Sequence, residues 1–263
     1  IYTITVTDAN SCTATATTDL KIYGSKLYVN DNSQTNDVYT TAVGNDANAG
    51  TPSSPFATIT KALTIAQAGD TIYVDAGDFV EQLTIDKSVY LQGAGSNLSN
   101  IVAPSTRSGS VVQGTTTWDY IVAAYPSTGT IQVRIKDFSI NANSQNKTAG
   151  TSSFVGVFMR DVIGDSIGGL FSCEIKGFPS TPEYECFGIK IYGNSDLTVD
   201  NNILSDYTRD GIGVNGGASG NPDVVVSNNT LNGSAIPLNA ISLIDGAKGS
   251  IVKNTAKNHT RST

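Results

Sequence analysis

Apolar residues in the second half of the chain recur in short groups that open with Gly or Ala and then alternate with other residues. Four such groups begin at Gly156, Gly188, Gly211 and Ala240, at spacings of 32, 23 and 29 residues. Alternation with a period of two is typical of β-strands, because successive side chains point to opposite faces. Other short apolar groups lie between these four, so each repeat offers three short strands. The pattern predicts a solenoid of stacked coils.

Asn residues mark one bend in each repeat. Asn202, Asn229 and Asn254 each precede a short apolar or Thr-containing group, at spacings of 27 and 25 residues. Asn tolerates the left-handed conformation of a tight bend, and its amide can bond to the equivalent residue of the next coil. We therefore expect a ladder of these three residues, with Cys173 in the equivalent place one coil earlier. The sequence leaves open whether Cys173 forms a disulfide with Cys186 or stays a buried thiol.

The N-terminal part of the chain shows two other patterns. In Ile1–Thr18, apolar residues alternate with Thr on both sides of the turn Asp-Ala-Asn-Ser, which predicts a hairpin. In Ala57–Ala68, apolar residues fall at i, i+3, i+4 and i+7 from Ile59, which predicts an amphipathic helix. Pro55 precedes this helix and Gly69 follows it, as expected for helix boundaries.

Composition supports a β protein and narrows the chemistry. Gly, Asn, Ser and Thr account for 106 of the 263 residues, and the formal net charge is −7. The acidic balance and the absence of Lys/Arg blocks disfavour nucleic acid as a partner, and no apolar run is long enough for membrane insertion. One His and three Cys at uneven spacing disfavour a zinc site. Any catalysis would have to come from carboxylates, Lys, Arg, Tyr or a bound cation.

Val43–Ile85 carries a motif that spans the predicted helix. Its pattern is Gly-x-Asp-x-Asn-x-Gly-Thr, Pro-Phe-x-Thr-Ile-x-x-Ala, Gly-Asp-Thr-Ile-x-Val and Gly-x-Phe-x-Glu. The matching residues are Gly44, Asp46, Asn48, Gly50, Thr51, Pro55, Phe56, Thr58, Ile59, Ala62, Gly69, Asp70, Thr71, Ile72, Val74, Gly77, Phe79 and Glu81. This stretch resembles the opening of right-handed parallel β-helix domains of the pectin-lyase-like superfamily. The resemblance implies an all-β solenoid of three-strand coils, capped by one short N-terminal α-helix. It says little about function, because enzymes and adhesins share this fold.

The first 18 residues resemble a different family. Their pattern is similar to the closing strands of Ig-like repeats on large secreted proteins of Bacteroidetes, with Ser11 where that pattern has Gly. The resemblance implies that residues 1–24 are the remnant of such a repeat or a linker, and that residues 25–263 form the β-helix, truncated at its C-terminal end. We therefore expect a secreted or cell-surface protein with neighbouring domains in the same long chain.

Candidate chemistry lies at the outward-facing positions of the repeated strands. The apolar members of each group are expected to point into the core, so the alternate residues form parallel rows outside. In the superfamily, this strand resembles the one that bears the substrate groove. The candidate catalytic residues are Lys190, Arg160 and Asp210, and the candidate substrate-binding residues are Tyr192, Phe158, Glu185 and Asn215. Arg160 and Lys190 are expected to stack one coil apart, and Tyr184 and Tyr207 to join Phe158 and Tyr192 as exposed aromatic residues.

Two functions follow from these residues. The first is a structural or glycan-binding and adhesive surface module without catalysis, in which the charged rows are a solvated face. The second is a lyase on uronic-acid polysaccharides, with Lys190 or Arg160 as the base. Such a lyase would need a cation such as Ca²⁺, for which Asp46 and Asp31 are candidate ligands in Asp/Asn-rich loops. Thr208–Gly211 is similar to a polygalacturonase motif, but that family's following motifs are missing, so a hydrolase is disfavoured.

Overall fold

The computed structural model describes residues 2–7, 9–18, 24–164, 167–179, 186–234 and 238–259. In chain order the elements are β1 (Tyr2–Thr7), β2 (Thr13–Thr18), β3 (Lys26–Val29), α1 (Ile59–Ile65), β4 (Asp70–Val74), β5 (Gly77–Val80), β6 (Leu83–Ile85), β7 (Val89–Gly93), β8 (Ser99–Val102), β9 (Ser110–Gln113), β10 (Thr116–Ala124), β11 (Ile131–Lys136), β12 (Ser139–Asn141), β13 (Ser153–Arg160), β14 (Val162–Ile163), β15 (Gly169–Phe171), β16 (Glu174–Lys176), β17 (Cys186–Tyr192), β18 (Asp196–Asp200), β19 (Ile203–Ser205), β20 (Asp210–Asn215), β21 (Asp223–Ser227), β22 (Thr230–Asn232), β23 (Asn239–Ile244), β24 (Lys248–Val252) and β25 (Thr255–Lys257).

Three long sheets wrap around one core, and successive strands pass from one sheet to the next. The front sheet has the order β23-β20-β17-β13-β10-β6, the second runs from β24 to β3, and the third runs from β25 to β5. All pairings within these sheets are parallel except that of β9 with β10. This arrangement confirms the predicted parallel β-helix. No helix among the described residues is long and apolar enough to span a membrane.

The register places like residues of successive coils on top of one another. On the front sheet, Val157 pairs with Ile189, Ile189 with Ile212, and Ile212 with Ile241. The first three are fully buried in the main core. Stacked apolar columns of this kind are what a parallel sheet with a buried face requires. The four repeated groups of the sequence are therefore one column of the solenoid.

Glycine lies within these strands where the backbones of successive coils approach each other closely. On β13, Phe154 and Val157 both belong to the main core, so the alternation of inward and outward side chains shifts between them, at Gly156. A Cβ added at Gly188 on the next coil would stand 2.5 Å from the carbonyl oxygen of Gly211. No side chain fits at that distance, so the close packing of the two coils requires Gly at this position.

The predicted Asn ladder is present. Asn202 Nδ2 donates to Asn229 Oδ1, and Asn229 Nδ2 donates to Asn254 Oδ1, each over 2.9 Å. Asn202 Oδ1 accepts from the backbone N–H of Cys173, which confirms the place assigned to Cys173. The left-handed conformation falls one residue earlier than expected, for example at Asn228 with φ of 56°. The ladder residues therefore serve as internal hydrogen-bonding groups, and the residue before each of them makes the bend.

Cys173 is a buried thiol. Its Sγ lies 3.3 Å from the carbonyl oxygen of Phe171, and burial raises the pKa of the thiol to about 12. Within the described residues it forms no disulfide, which settles the alternative that the sequence left open for Cys173 and Cys186.

Helix α1 is confirmed, although it is shorter at both ends than the predicted 57–68. Thr58 is its N-cap and accepts from the N–H of Lys61. The carboxylate of Asp46 accepts from the N–H groups of Ala57 and Thr58, and that of Glu81 accepts from the next two N–H groups. Carboxylates stabilise a helix N-terminus because the first N–H groups lack partners and the helix dipole is positive there. Two acidic residues of the N-terminal motif thus have a structural role.

The predicted N-terminal hairpin is also present. β1 and β2 pair antiparallel, from Tyr2 with Thr18 to Thr7 with Thr13, and they form a two-stranded sheet of their own. The boundary between residues 24 and 25 and the Ig-like origin of this hairpin stay predictions.

Candidate functional site

The outward rows of the front sheet are present, but their register corrects one expectation. Phe158 pairs with Lys190 and Lys190 with Gly213, while Arg160 pairs with Tyr192. Arg160 and Lys190 therefore lie in different rows, two residues apart along the strands, and the expected direct stacking was wrong. Both β13 and β17 change their alternation of inward and outward side chains at the Gly position. The change is therefore the same in both strands and does not align the side chains of Arg160 and Lys190.

A hairpin of β9 and β10 covers part of this face, and the sequence patterns had not predicted it. Trp118 on β10 packs with Phe158 and Phe187 in a second apolar cluster outside the main core. Phe158 is fully buried there, so the expectation that it is an exposed sugar-binding ring was wrong. The signal for the hairpin was the alternating run Thr-Thr-Trp-Asp-Tyr after Gly114, which has φ of 61° and forms the turn.

A cavity of about 540 Å³ opens between this hairpin and the last coils of the front sheet. Its volume lies within the range of small-molecule sites. The lining residues are Thr116, Trp118, Ser152, Ser153, Phe187, Lys190, Tyr192, Arg209, Asp210, Asn215 and Ile244. The cavity therefore brings together four predicted site residues: Lys190, Tyr192, Asp210 and Asn215. It adds Trp118 and Phe187, which were not predicted.

Lys190 lies at the centre of the aromatic wall of this cavity. Only 4% of the residue is exposed, and its Nζ lies 5.0 Å from the ring centre of Phe187, 5.7 Å from that of Tyr192 and 5.9 Å from that of Trp118. Among the described residues its Nζ has no hydrogen bond and no ion pair. Burial lowers the pKa of Lys190 to about 8, against the smaller effect of the Asp210 carboxylate, which raises it. The aromatic faces stabilise the ammonium only in part.

The polar groups around Lys190 are partly unpaired. Both carboxylate oxygens of Asp210 accept hydrogen bonds, from Asn239 Nδ2 and Ser242 Oγ at 3.0 Å each. In contrast, Trp118 Nε1 and Asn215 Oδ1 are buried and have no partner within the described part of the chain. Buried polar atoms usually have partners, so unpaired ones at a cavity are consistent with a ligand that supplies them.

Arg160 has a structural role beside the cavity. Its Nη1 donates to the carbonyl oxygen of Val112 and to Gln113 Oε1, at 3.3 and 3.2 Å, so it holds the tip of the hairpin. Its Nε lies 3.8 Å from the Asp161 carboxylate, and its guanidinium lies over the ring of Tyr125. Arg160 does not line the cavity, so a catalytic role loses its geometric basis.

The remaining candidate residues do not meet at the cavity. Glu185 and Tyr184 lie outside the described residues. Tyr207 is fully buried, and its hydroxyl bonds to His259 Nε2 over 2.6 Å, so the expectation that it is an exposed ring was wrong. Asp46 caps α1, and Asp31 Oδ1 accepts from the N–H of Ser33.

The described residues do not provide a set of ligands for the calcium ion that a lyase would need. Within the described residues, no group of three or more His, Cys, Asp or Glu side chains is arranged to hold a metal ion. Asp46 and Asp31 therefore lack the additional carboxylates that a calcium site normally uses.

These observations define a class of protein: a parallel β-helix that carries an aromatic-walled cavity with a buried lysine on one sheet. Residues 42–262 match the model of a family described as a protein of unknown function, DUF1565, and the chain belongs to this family. Comparison with curated proteins finds no match. Among solved structures, pectin methylesterase from carrot is similar in architecture, with 12% identity, a TM-score of 0.46, and coverage of 91% of this chain and 85% of that chain. This similarity is too distant to support a shared activity.

Proposed function

We propose that this chain is a β-helix module that binds acidic glycans in the cavity at Lys190. The observation that carries the proposal is the buried Lys190 ammonium, which has aromatic neighbours but no anionic partner within 4 Å among the described residues. A ligand carboxylate beside it would offset the cost of burying the charge, because charge pairs are stronger in a site of low dielectric constant. Neutral ligands would leave that cost in place.

The walls of the cavity suit the rest of a sugar. Sugar rings present C–H groups that pack on aromatic faces, and Tyr192 is half-buried at the edge of the aromatic cluster. Arg209 is exposed at the rim and offers a second cation to a polymer with one carboxylate per unit. Asn215 Oδ1 offers an acceptor for a sugar hydroxyl. We place this module on a secreted or cell-surface protein, in line with the Ig-like resemblance of its first residues.

A lyase is the second candidate, favoured by one observation. With a pKa of about 8, roughly a tenth of Lys190 is neutral at pH 7, so its amine is available as a base. In that reaction the amine would take the proton from the carbon next to the uronate carboxylate, and the glycosidic C–O bond would then break. The described residues do not include a group of carboxylates arranged to hold Ca²⁺, so we assign no step to this ion. Arg209 is the group that would neutralise the carboxylate instead.

The experiment that tests both candidates is a binding and turnover panel. Oligosaccharides of polygalacturonate, alginate and chondroitin are titrated into the protein by calorimetry, with carboxyl-reduced oligosaccharides as neutral controls. The ultraviolet absorbance of unsaturated product is followed in the same samples. Lys190→Met is compared with Lys248→Met, which removes an exposed lysine that does not line the cavity.

Three outcomes separate the candidates. Binding of an acidic oligosaccharide that is lost in Lys190→Met, without absorbance change, supports the binding module. Turnover that is lost in Lys190→Met supports the lyase. Equal binding of acidic and neutral ligands, or none of any ligand, contradicts both.

A further inference from the structure

We infer that Lys190 is a carbonyl-reactive amine, which forms a reversible imine with small aldehydes and with the open-chain aldehyde at the reducing end of a sugar. This is a covalent activity of the cavity, and it goes beyond the proposed binding of acidic glycans. It needs a ligand with an aldehyde, whereas the proposed binding needs a carboxylate, so the two can succeed or fail separately.

The environment of Lys190 differs from that of the other lysines. It is the one buried lysine among the described residues. Lys136 pairs with Asp137, Lys176 pairs with Glu174, and Lys87 donates to the carbonyl oxygens at the end of α1. Lysines that form imines are typically desolvated in apolar pockets, because burial favours the neutral, nucleophilic amine. Burial of Lys190 lowers its pKa in this way.

The cavity gives the amine room to react. Lys190 Nζ faces three aromatic rings, and its side chain lies along Gly213 of the neighbouring strand, in the space that a side chain there would fill. The room for a reacting carbonyl is the open volume of the cavity on the other side of the amine. It has no hydrogen bond or ion pair in the described chain that a reacting carbonyl would have to break. The cavity volume of about 540 Å³ accommodates a small aldehyde next to the amine.

The reaction balances without a redox partner. The lone pair of Lys190 Nζ attacks the carbonyl carbon, and a proton passes from nitrogen to the former carbonyl oxygen, which gives a carbinolamine. That hydroxyl is then protonated and leaves as water, while the nitrogen forms the C=N bond and loses its remaining proton. Tyr192 lines the same cavity, with its ring centre 5.7 Å from Lys190 Nζ. Burial raises the pKa of its hydroxyl, so the hydroxyl stays protonated and can donate a hydrogen bond to the departing oxygen, while the proton for the leaving water comes from solvent.

Reductive trapping tests the inference. The full chain is incubated with glycolaldehyde and sodium cyanoborohydride, and alkylation of each lysine is followed over time by peptide mapping with mass spectrometry. Lys248, which is exposed, is the reference amine in the same molecule. At pH 7 an amine of pKa about 8 has roughly two- to three-hundredfold more neutral form than an ordinary lysine. Allowing for its restricted access, we expect Lys190 to react at least about tenfold faster than Lys248.

The pH dependence and one variant sharpen the test. The rate at Lys190 should level off above a pH of about 8, where its amine is largely neutral. Tyr192→Phe should slow trapping at Lys190 several-fold, yet leave its acylation by acetic anhydride unchanged, because acylation loses no water. A rate at Lys190 equal to or below that at Lys248 in the folded protein would overturn the inference, whatever the glycan panel shows. An unchanged trapping rate in Tyr192→Phe would remove the tyrosine from the mechanism.

Discussion

The amine of Lys190 lies against Gly213 of the neighbouring strand, so closely that a Cβ added at residue 213 would stand 2.6 Å from Nζ and 3.0 Å from Cδ. The two residues are direct partners in the register of β17 and β20. The side chain of Lys190 thus lies along the sheet surface and keeps its amine among the aromatic rings. The absent side chain at Gly213 is what makes this position possible.

Gly213→Ala is predicted to displace Lys190 without unfolding the protein. The backbone at Gly213 does not have a positive φ, and the added methyl meets the flexible end of a lysine, so the protein should still fold. Release of the buried ammonium to solvent should raise the free energy of unfolding at pH 7, by up to about 3 kcal/mol. The displaced amine becomes solvated, so its pKa should rise toward that of an ordinary lysine, and affinity for acidic glycans should fall about tenfold. Calorimetry and amine titration check this. In a Lys190→Met background the same substitution should have no effect on binding; an equal effect there would contradict the explanation.

Stability should depend on pH through Lys190. Its pKa is about 8 in the folded protein and 10.5 when solvated, so the unfolded chain binds more protons between these values, and stability rises with pH across that window. Below pH 8 the buried charge costs the folded state about 3 kcal/mol. Below pH 8, the difference in unfolding free energy between Lys190→Met and the natural protein should therefore be constant. Between pH 8 and pH 10.5 the natural protein should gain roughly 3 kcal/mol of stability relative to Lys190→Met.

Denaturant unfolding at a series of pH values measures this difference. Lys248→Met, which removes an exposed lysine, is the matched control for the loss of a lysine charge. A flat difference for Lys190→Met would show that the amine is solvated in the folded protein.

The Asn ladder should contribute strongly to stability. Asn229→Ala removes hydrogen bonds to both neighbouring coils and leaves Asn202 and Asn254 with unpaired polar groups in or near the core. The cost should be about 2–4 kcal/mol, since each buried unpaired group costs about 1–3 kcal/mol. Asn228→Gly is the control on the preceding residue, because Gly accepts its left-handed backbone. Thermal unfolding compares the two; equal effects would argue against the ladder as the cause.

The ion pair of Arg107 and Asp119 should hold the base of the hairpin. The two side chains are buried, with Nη2 and Oδ2 2.8 Å apart, and Asp119 also accepts from the N–H of Thr148. Arg107→Ala should destabilise the protein by about 3–5 kcal/mol, because it leaves a buried carboxylate without its cation. Amide exchange at Thr148 should increase. Lys136→Ala, which breaks a half-exposed pair, should change stability by less than about 0.5 kcal/mol.

The solenoid could be predicted because its determinants are local and repeat. The Asn residues 202, 229 and 254 carry the same hydrogen-bonding groups at similar spacing, so one coil predicts the next. The helix α1 could also be recognised locally, because its apolar residues at i, i+3, i+4 and i+7 span only two turns. The position of the left-handed residue was displaced by one because both members of the pair Asn201-Asn202 favour bends, and only the packing decides which one points inward.

The candidate site was predicted in part, because it depends on contacts between distant segments. Alternation placed Lys190 and Tyr192 on the outer face correctly. Whether that face is open depends on the hairpin of β9 and β10, which begins about 80 residues before Lys190. The burial of Phe158 could therefore not be deduced from its own strand. Arg160 also contacts this hairpin, because its guanidinium donates a hydrogen bond to the carbonyl oxygen of Val112. The offset of two residues between Arg160 and Lys190 keeps the two cations in separate rows, and it follows from the register of β13 and β17.

The measurement that tests the central claim most directly is proton uptake when an acidic oligosaccharide binds. Titrations at pH 8 in buffers of different ionisation enthalpy give the number of protons taken up per ligand. A carboxylate placed beside Lys190 raises its pKa, so the half of the molecules in which the amine is neutral should each take up a proton, about 0.5 per ligand. In Lys190→Met the uptake should vanish and binding should weaken. Tight binding of the acidic ligand with no proton uptake at pH 8 would contradict the placement of its carboxylate at Lys190.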